Sequence, residues 1–165
     1  DDHVALLVAK LKQLGVWEDT AIVITSDHGE DLGELNSYGD HQFADEITHR
    51  LPMIVRWPGL APRVERGLHY HLDAWATVAE LMGAQAAPAW DGRSFAAAVR
   101  AGTSPAGREA LVLSQAAWSC QRAARWGDWL MIRSYHDGLH GFPERMLFNV
   151  ADDPHEQREI GRAHV

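Results

Sequence analysis

Two short apolar runs with a long polar excursion between them constrain this chain more than any other feature. Ile22–Thr25 and Met53–Trp57 are β-branched and apolar enough to be read as buried, central strands. The loop between them carries Asp27, His28 and His41. Successive side chains of a strand point to opposite faces, so Asp27 and His28 can grip one ion only where the chain has left the strand. Gly29 follows at once and can take the dihedral angles of a tight turn, placing both side chains at the carboxyl end of the first run. In open α/β sheets that edge is where ligands bind. A carboxylate beside an imidazole, with no thiolate nearby, suits a divalent cation such as Ca²⁺, Mn²⁺ or Mg²⁺. Asp-His-Gly by itself also fits a solvated aspartate that caps a helix.

The order of features narrows this choice. A polar-faced helix is followed by GVWEDTAIVITSDHGE, then an acidic, glycine-containing loop, then HRLPMIVRWPG. This order resembles the C-terminal half of the sulfatase family, in the alkaline phosphatase superfamily. In that family a strand ends in Asp-His-Gly or Asp-Asn-Gly, a loop carries a basic residue, and Arg-Val-Pro leads into a strand closed by Pro-Gly. The likeness runs over Leu14–Gly59. It implies that Asp27 and His28 are two ligands of a catalytic metal. It also implies a sulfate or phosphate ester contact from the residue nine positions before Arg50, which is His41. Lysine is commoner there, and histidine makes the role pH-dependent near neutrality. The alternative for His41 is a loop histidine bonded to Asp40 or Asp45. His49 is read as a partly buried polar residue.

The rest of the chain is scaffold. Val4, Leu7, Val8, Leu11 and Leu14 fall at helical spacing and predict a helix over residues 1–14 with a core-facing stripe, ended by Gly15. HLDAWATVAELMGA predicts a second helix, with Leu72, Trp75, Ala76, Val78, Ala79 and Met82 as its apolar face. It resembles a family helix usually written Asp-x-x-Pro-Thr, keeping Asp73 and Thr77. His69 and His71 have the spacing of a zinc pair on a strand, but an ordinary strand or turn before the helix is the preferred reading. WDGRSF resembles the family's Asp-Gly-x-Ser element and leads into a short helix, Phe95–Ala101. From Arg108 the apolar period becomes two. Ala110–Gln115, Ser119–Arg125, Trp129–Ser134 and Arg145–Asn149 are expected as an antiparallel four-stranded sheet. LFNVADDPHEQREI resembles a family element in which the acidic-Pro step starts a terminal helix.

The expected fold is therefore α/β: the C-terminal part of an alkaline-phosphatase-like sheet domain over 1–107, with its metal-site loop at 26–50, and a small antiparallel subdomain with a terminal helix over 108–165. The abrupt start reads as part of a longer protein. The family's formylglycine nucleophile, made from Cys or Ser in C-x-P-S-R, is expected in a preceding half. Cys120 does not match that motif and reads as a small core residue. The intact protein is expected to be a metal-dependent hydrolase of sulfate esters, and this chain alone is expected to be inactive. A phosphodiester or phosphonate monoester hydrolase is the alternative.

Composition bounds the partners. A net charge of −8 and a pI of 5.6 exclude a nucleic-acid reading, which needs a basic patch. No run is long enough to span a bilayer. Glu30, Asp31, Glu34, Asp40, Asp45 and Glu46 read mainly as a solvated loop face. Seven tryptophans are read as packing anchors, some of them near a substrate cleft. A self-associating, non-catalytic piece that pairs through an open sheet edge is the reading from a different class. The sequence assigns no compartment and no organic group of the substrate.

Overall fold

A computed structural model of the chain describes residues 1–85 and 87–161. Strand β1 (Ile22–Thr25) pairs antiparallel with β4 (Met53–Arg56), with Thr25 opposite Met53. That register closes the base of a long excursion, so everything from Ser26 to Pro52 hangs from one pair of strand ends. Inside it, β2 (Asp31–Leu32) and β3 (Tyr38–Asp40) form a small hairpin, with Asp31 opposite Asp40. The hairpin tip needs positive φ at Gly33, Leu35 and Asn36. A one-turn helix, α2 (Glu46–His49), returns the chain toward β4; its N-cap is Asp45, which accepts the Thr48 N–H at 2.6 Å.

The second body is a meander, β5 (Ala110–Ala116), β6 (Cys120–Trp126), β7 (Trp129–His136) and β8 (Arg145–Asn149), all antiparallel. The period of two places Leu113, Ala123, Ile132 and Met146 side by side across its inner face. Leu111, Leu130 and Phe148 form the next row, and Ala44 from the site loop completes this core. Thus the excursion from one sheet is buried against the other.

Three scaffold expectations change. Helix α1 (Asp2–Gln13) forms but buries no residue, and Leu7 is 67% exposed, because among the described residues nothing packs over its apolar stripe. Strands β1 and β4 are half-buried and exposed rather than central for the same reason. In α3 (His71–Leu81) the buried residues are Asp73, Ala76 and Thr77, while Leu72, Trp75 and Met82 are exposed. The polar members face inward because they satisfy backbone: Asp73 accepts the N–H groups of Tyr70 and Arg93, and Thr77 Oγ1 accepts that of Phe95. These bonds dock WDGRSF and the start of α4 (Ala96–Ala101) on α3.

Smaller corrections follow the same logic. His71 opens α3 instead of sharing a strand with His69, and its Nε2 lies 3.2 Å from Thr25 Oγ1. Cys120 is exposed, since it begins β6 on the outer face of the sheet. The expected terminal helix does not form over residues 154–160; Asp153 instead accepts the N–H groups of Gln157 and Arg158. Residues 162–165 lie outside the described part. None of the seven tryptophans is buried.

Candidate active site

Asp27 and His28 leave the end of β1 as expected, but the reason for Gly29 is different. It does not use positive φ; a Cβ there would run into the backbone carbonyl of Ile47, and the Gly29 N–H donates to Thr48 O at 2.8 Å. The residue after His28 is thus pressed against α2, which fixes where the two side chains emerge. His28 Nδ1 lies 2.7 Å from Gly29 O. A carbonyl only accepts, so Nδ1 carries a proton and, in the neutral ring, the lone pair is on Nε2. That Nε2 lies 3.9 Å from Asp27 Oδ2. Asp27 Oδ1 accepts the His28 N–H at 3.0 Å, and this bond is the first cause holding the carboxyl below its usual range. An ionised oxygen and a ring lone pair therefore sit side by side, a donor set that fits a divalent cation.

His41 comes to the same place from β3. Its ring stacks on His28 with centroids 3.8 Å apart, and its Nδ1 lies 3.1 Å from Glu30 Oε2. One donor atom from each of His28, Glu30 and His41 lies within 4.8 Å of the other two. With both Nδ1 atoms donating, to Gly29 O and to Glu30, each ring is held through one nitrogen. The structure thus brings Asp27, His28 and His41 together. His49 is apart from them, half-buried, with Nδ1 3.1 Å from Asp45 O.

The loop bearing His41 is held by residues whose part was not apparent in the sequence. Gln115 Nε2 donates to His41 O at 2.9 Å, Ser119 Oγ to Gln42 O at 2.5 Å, and Gln121 Oε1 accepts the Ala44 N–H at 2.9 Å. Phe43, fully buried, packs edge-on against His140 and Phe142. Arg125 Nε binds Glu46 Oε2 at 2.8 Å. The one available signal was polarity in the wrong place: Gln115 and Gln121 share the strand parity of Leu113 and Ala123, so they face inward. Glu30 had a signal too, its position directly after Asp-His-Gly.

Comparison with known proteins gives a consistent answer. A sequence model of the family described as Sulfatase matches residues 1–84. The choline-sulfatase of Rhizobium meliloti strain 1021 is 30% identical over 161 residues, covering 94% of this chain and 30% of that protein. The multifunctional alkaline phosphatase superfamily protein PehA of Trinickia caryophylli is 35% identical over 98 residues, 58% of this chain and 19% of its own length. Among solved structures, a protein in complex with its substrate D-glucosamine-2-N,6-O-disulfate superposes with a TM-score of 0.83 at 25% identity, over 98% of this chain and 34% of the other. The phosphonate monoester hydrolase of Silicibacter pomeroyi does so with a TM-score of 0.73 at 26% identity, over 93% and 35%. The chain therefore spans at most about a third of each of these four relatives. The mixed α/β fold with its four-stranded antiparallel sheet agrees with these neighbours, and the match over residues 1–84 settles the assignment: the chain belongs to the sulfatase family.

Proposed function

We propose that this chain supplies one side of the active site of a metal-dependent sulfuric ester hydrolase. Asp27 and His28 are two ligands of a divalent cation, Ca²⁺ before Mn²⁺ or Mg²⁺, and His41 contacts the ester. The observation that carries this reading is the pairing of Asp27 Oδ2 with the free Nε2 of His28, whose tautomer is set by Gly29 O. When bound, such a cation activates a nucleophile and offsets charge on a sulfate oxygen. The chain's own residues do the rest of what can be assigned to it. Asp27 stays ionised at neutral pH, and His28 offers Nε2 beside it. Glu30 and Gln115 orient His41, whose Nε2–H, when the ring is protonated, donates to an ester oxygen or hands its proton to the leaving oxygen. The nucleophile, a formylglycine by family likeness, is supplied by residues outside this chain.

Calorimetric titration with Ca²⁺ and Mn²⁺ tests the ligand assignment. Binding is expected to disappear in Asp27→Ala while the chain stays folded. Unchanged binding in that variant removes Asp27 from the site. A second reading, hydrolysis of a phosphonate or phosphate ester, is favoured by the superposition on the Silicibacter phosphonate monoester hydrolase. Turnover of an aryl sulfate against an aryl phosphonate by the full-length protein decides between the two.

A further inference from the structure

Beneath the site loop lies a group of carboxyls that the proposed chemistry does not use. Asp31, Asp45 and Glu156 are 0%, 0% and 3% exposed, which overturns the solvated-face reading for Asp31 and Asp45. Two of the three have a donor: Asp45 Oδ1 accepts the Thr48 N–H, and Glu156 Oε1 accepts the Glu46 N–H at 2.7 Å. Among the described residues Asp31 has none, for neither of its oxygens meets an N–H or a hydroxyl, and Asp45 Oδ2 is without one too. The charged groups facing Asp31 are Asp45, Glu34 and Glu156, all acidic. The titratable groups facing Asp45 are Asp31, Glu156 and His49, and those facing Glu156 are Asp31, Asp45, Glu46 and Asp153. At the rim Arg125 pairs with Glu46, and His155 Nδ1 lies 2.8 Å from Glu34 Oε1.

Two ionised carboxylates in contact, shielded from water and without a counter-charge, repel each other and lose their solvation together. One proton resolves both costs, because a protonated carboxyl donates to its neighbour. Asp45 is the acceptor of the two, since the N–H at the start of α2 already stabilises its anion. Burial, the largest cause, pushes the Asp31 carboxyl up to about 9, which keeps it neutral at physiological pH.

We propose that Asp31 is a positioning residue: as a neutral acid it donates a hydrogen bond to Asp45 and fastens the start of β2 to the cap of α2. The fastened points bracket the segment that carries His41, so the bond holds that histidine against Glu30 and His28. What His41 then contacts rests on the proposed function; the bond itself does not. Above the pH at which Asp31 loses its proton, the two carboxylates part and the β2–β3 hairpin loosens.

An amide in place of the acid separates the proton from the hydrogen bond, because asparagine donates at every pH. Urea midpoints of the protein and of Asp31→Asn, Asp31→Ala and Glu156→Gln, taken from about pH 6 to about pH 10, form the test. The wild-type midpoint is expected to fall with rising pH. Asp31→Asn should equal or exceed it at neutral pH and remove the part of the fall that Glu156→Gln leaves. Asp31→Ala should be the least stable at neutral pH and should also lose that part. The imidazole nitrogen signals of His41 should show, beyond the ring's own titration, a step that follows the wild-type stability transition and is missing in Asp31→Asn. An Asp31→Asn protein with the wild-type pH dependence, or one destabilised as much as Asp31→Ala at neutral pH, overturns the proposal. Ca²⁺ titration of Asp31→Asn distinguishes this from a failure of the functional reading. A flattened pH dependence without metal binding upholds the proton-held bond and counts against the metal site, and the reverse result overturns the bond alone.

Discussion

Gly29 shows how one residue can be read correctly for place and wrongly for cause. Its position after Asp-His marks the exit from β1, but the requirement is space against Ile47 and not a left-handed turn. Gly29→Ala must move either α2 or the Asp27–His28 corner. The expected cost is about 1–3 kcal/mol by urea denaturation, and, on the proposed function, weaker Ca²⁺ binding because the two proposed ligands shift together. An alanine variant as stable as wild type would show that α2 yields without strain. The proposed site residues, Asp27, His28 and His41, could be picked out of the sequence by identity and spacing, and the structure brings the three together. Asp31 and Asp45 were not legible, because an acid in a glycine-containing loop looks the same in sequence whether it is solvated or buried.

Elements were legible where the period was unambiguous and opaque where a face was. The four strands of the meander lie within two residues of the expected bounds, since a period of two with turn residues between runs admits little else. The stripe of α1 and, from the expected apolar face of α3, Leu72, Trp75 and Met82 were assigned inward by the same logic and are not buried, because periodicity identifies a face without saying what covers it. The function of the meander was hidden for another reason. Its polar row, Gln115, Gln121 and Ser134, lies at one end of the inner face, and Gln121 reaches Ala44 across 77 positions of sequence. Gln121→Ala leaves the buried Ala44 N–H without an acceptor, at an expected cost of about 1–3 kcal/mol. Faster hydrogen exchange at Ala44 and a shifted His41 signal, with α3 unaffected, would locate the effect in the loop. Exchange at Ala44 no faster than in wild type would mean that the amide finds another acceptor.

At the scale of the molecule, the Arg108–Asp73 ion pair joins Arg125–Glu46 in tying the elements before the meander to it. Arg108, just before β5, holds Asp73 of α3 with Nη2 at 2.6 Å from Oδ1 and Nε at 2.8 Å from Oδ2, and its guanidinium lies over the Tyr70 ring. Asp73 is 2% exposed, so burial alone would raise its pKa; the Arg108 hydrogen bonds and the Arg93 and Tyr70 N–H groups outweigh this and lower it to about 2. A folded-state pKa below the unfolded value contributes stability that is present above the unfolded pKa, near 4, and is lost as pH falls through about 2. Asp31 and Glu156 act in the opposite sense, since pKa values raised to about 9 and about 8 make stability fall as pH rises toward those values. The two trends leave a maximum on the acid side of neutrality. Arg108→Ala strands the Asp73 charge and is expected to cost about 3–5 kcal/mol at neutral pH. Because Asp73 becomes neutral in both proteins on acidification, the urea midpoints of variant and wild type should converge as pH approaches about 2. A gap that stays constant from neutral to acid pH would mean that Arg108 acts through its packing on Tyr70 and not through charge.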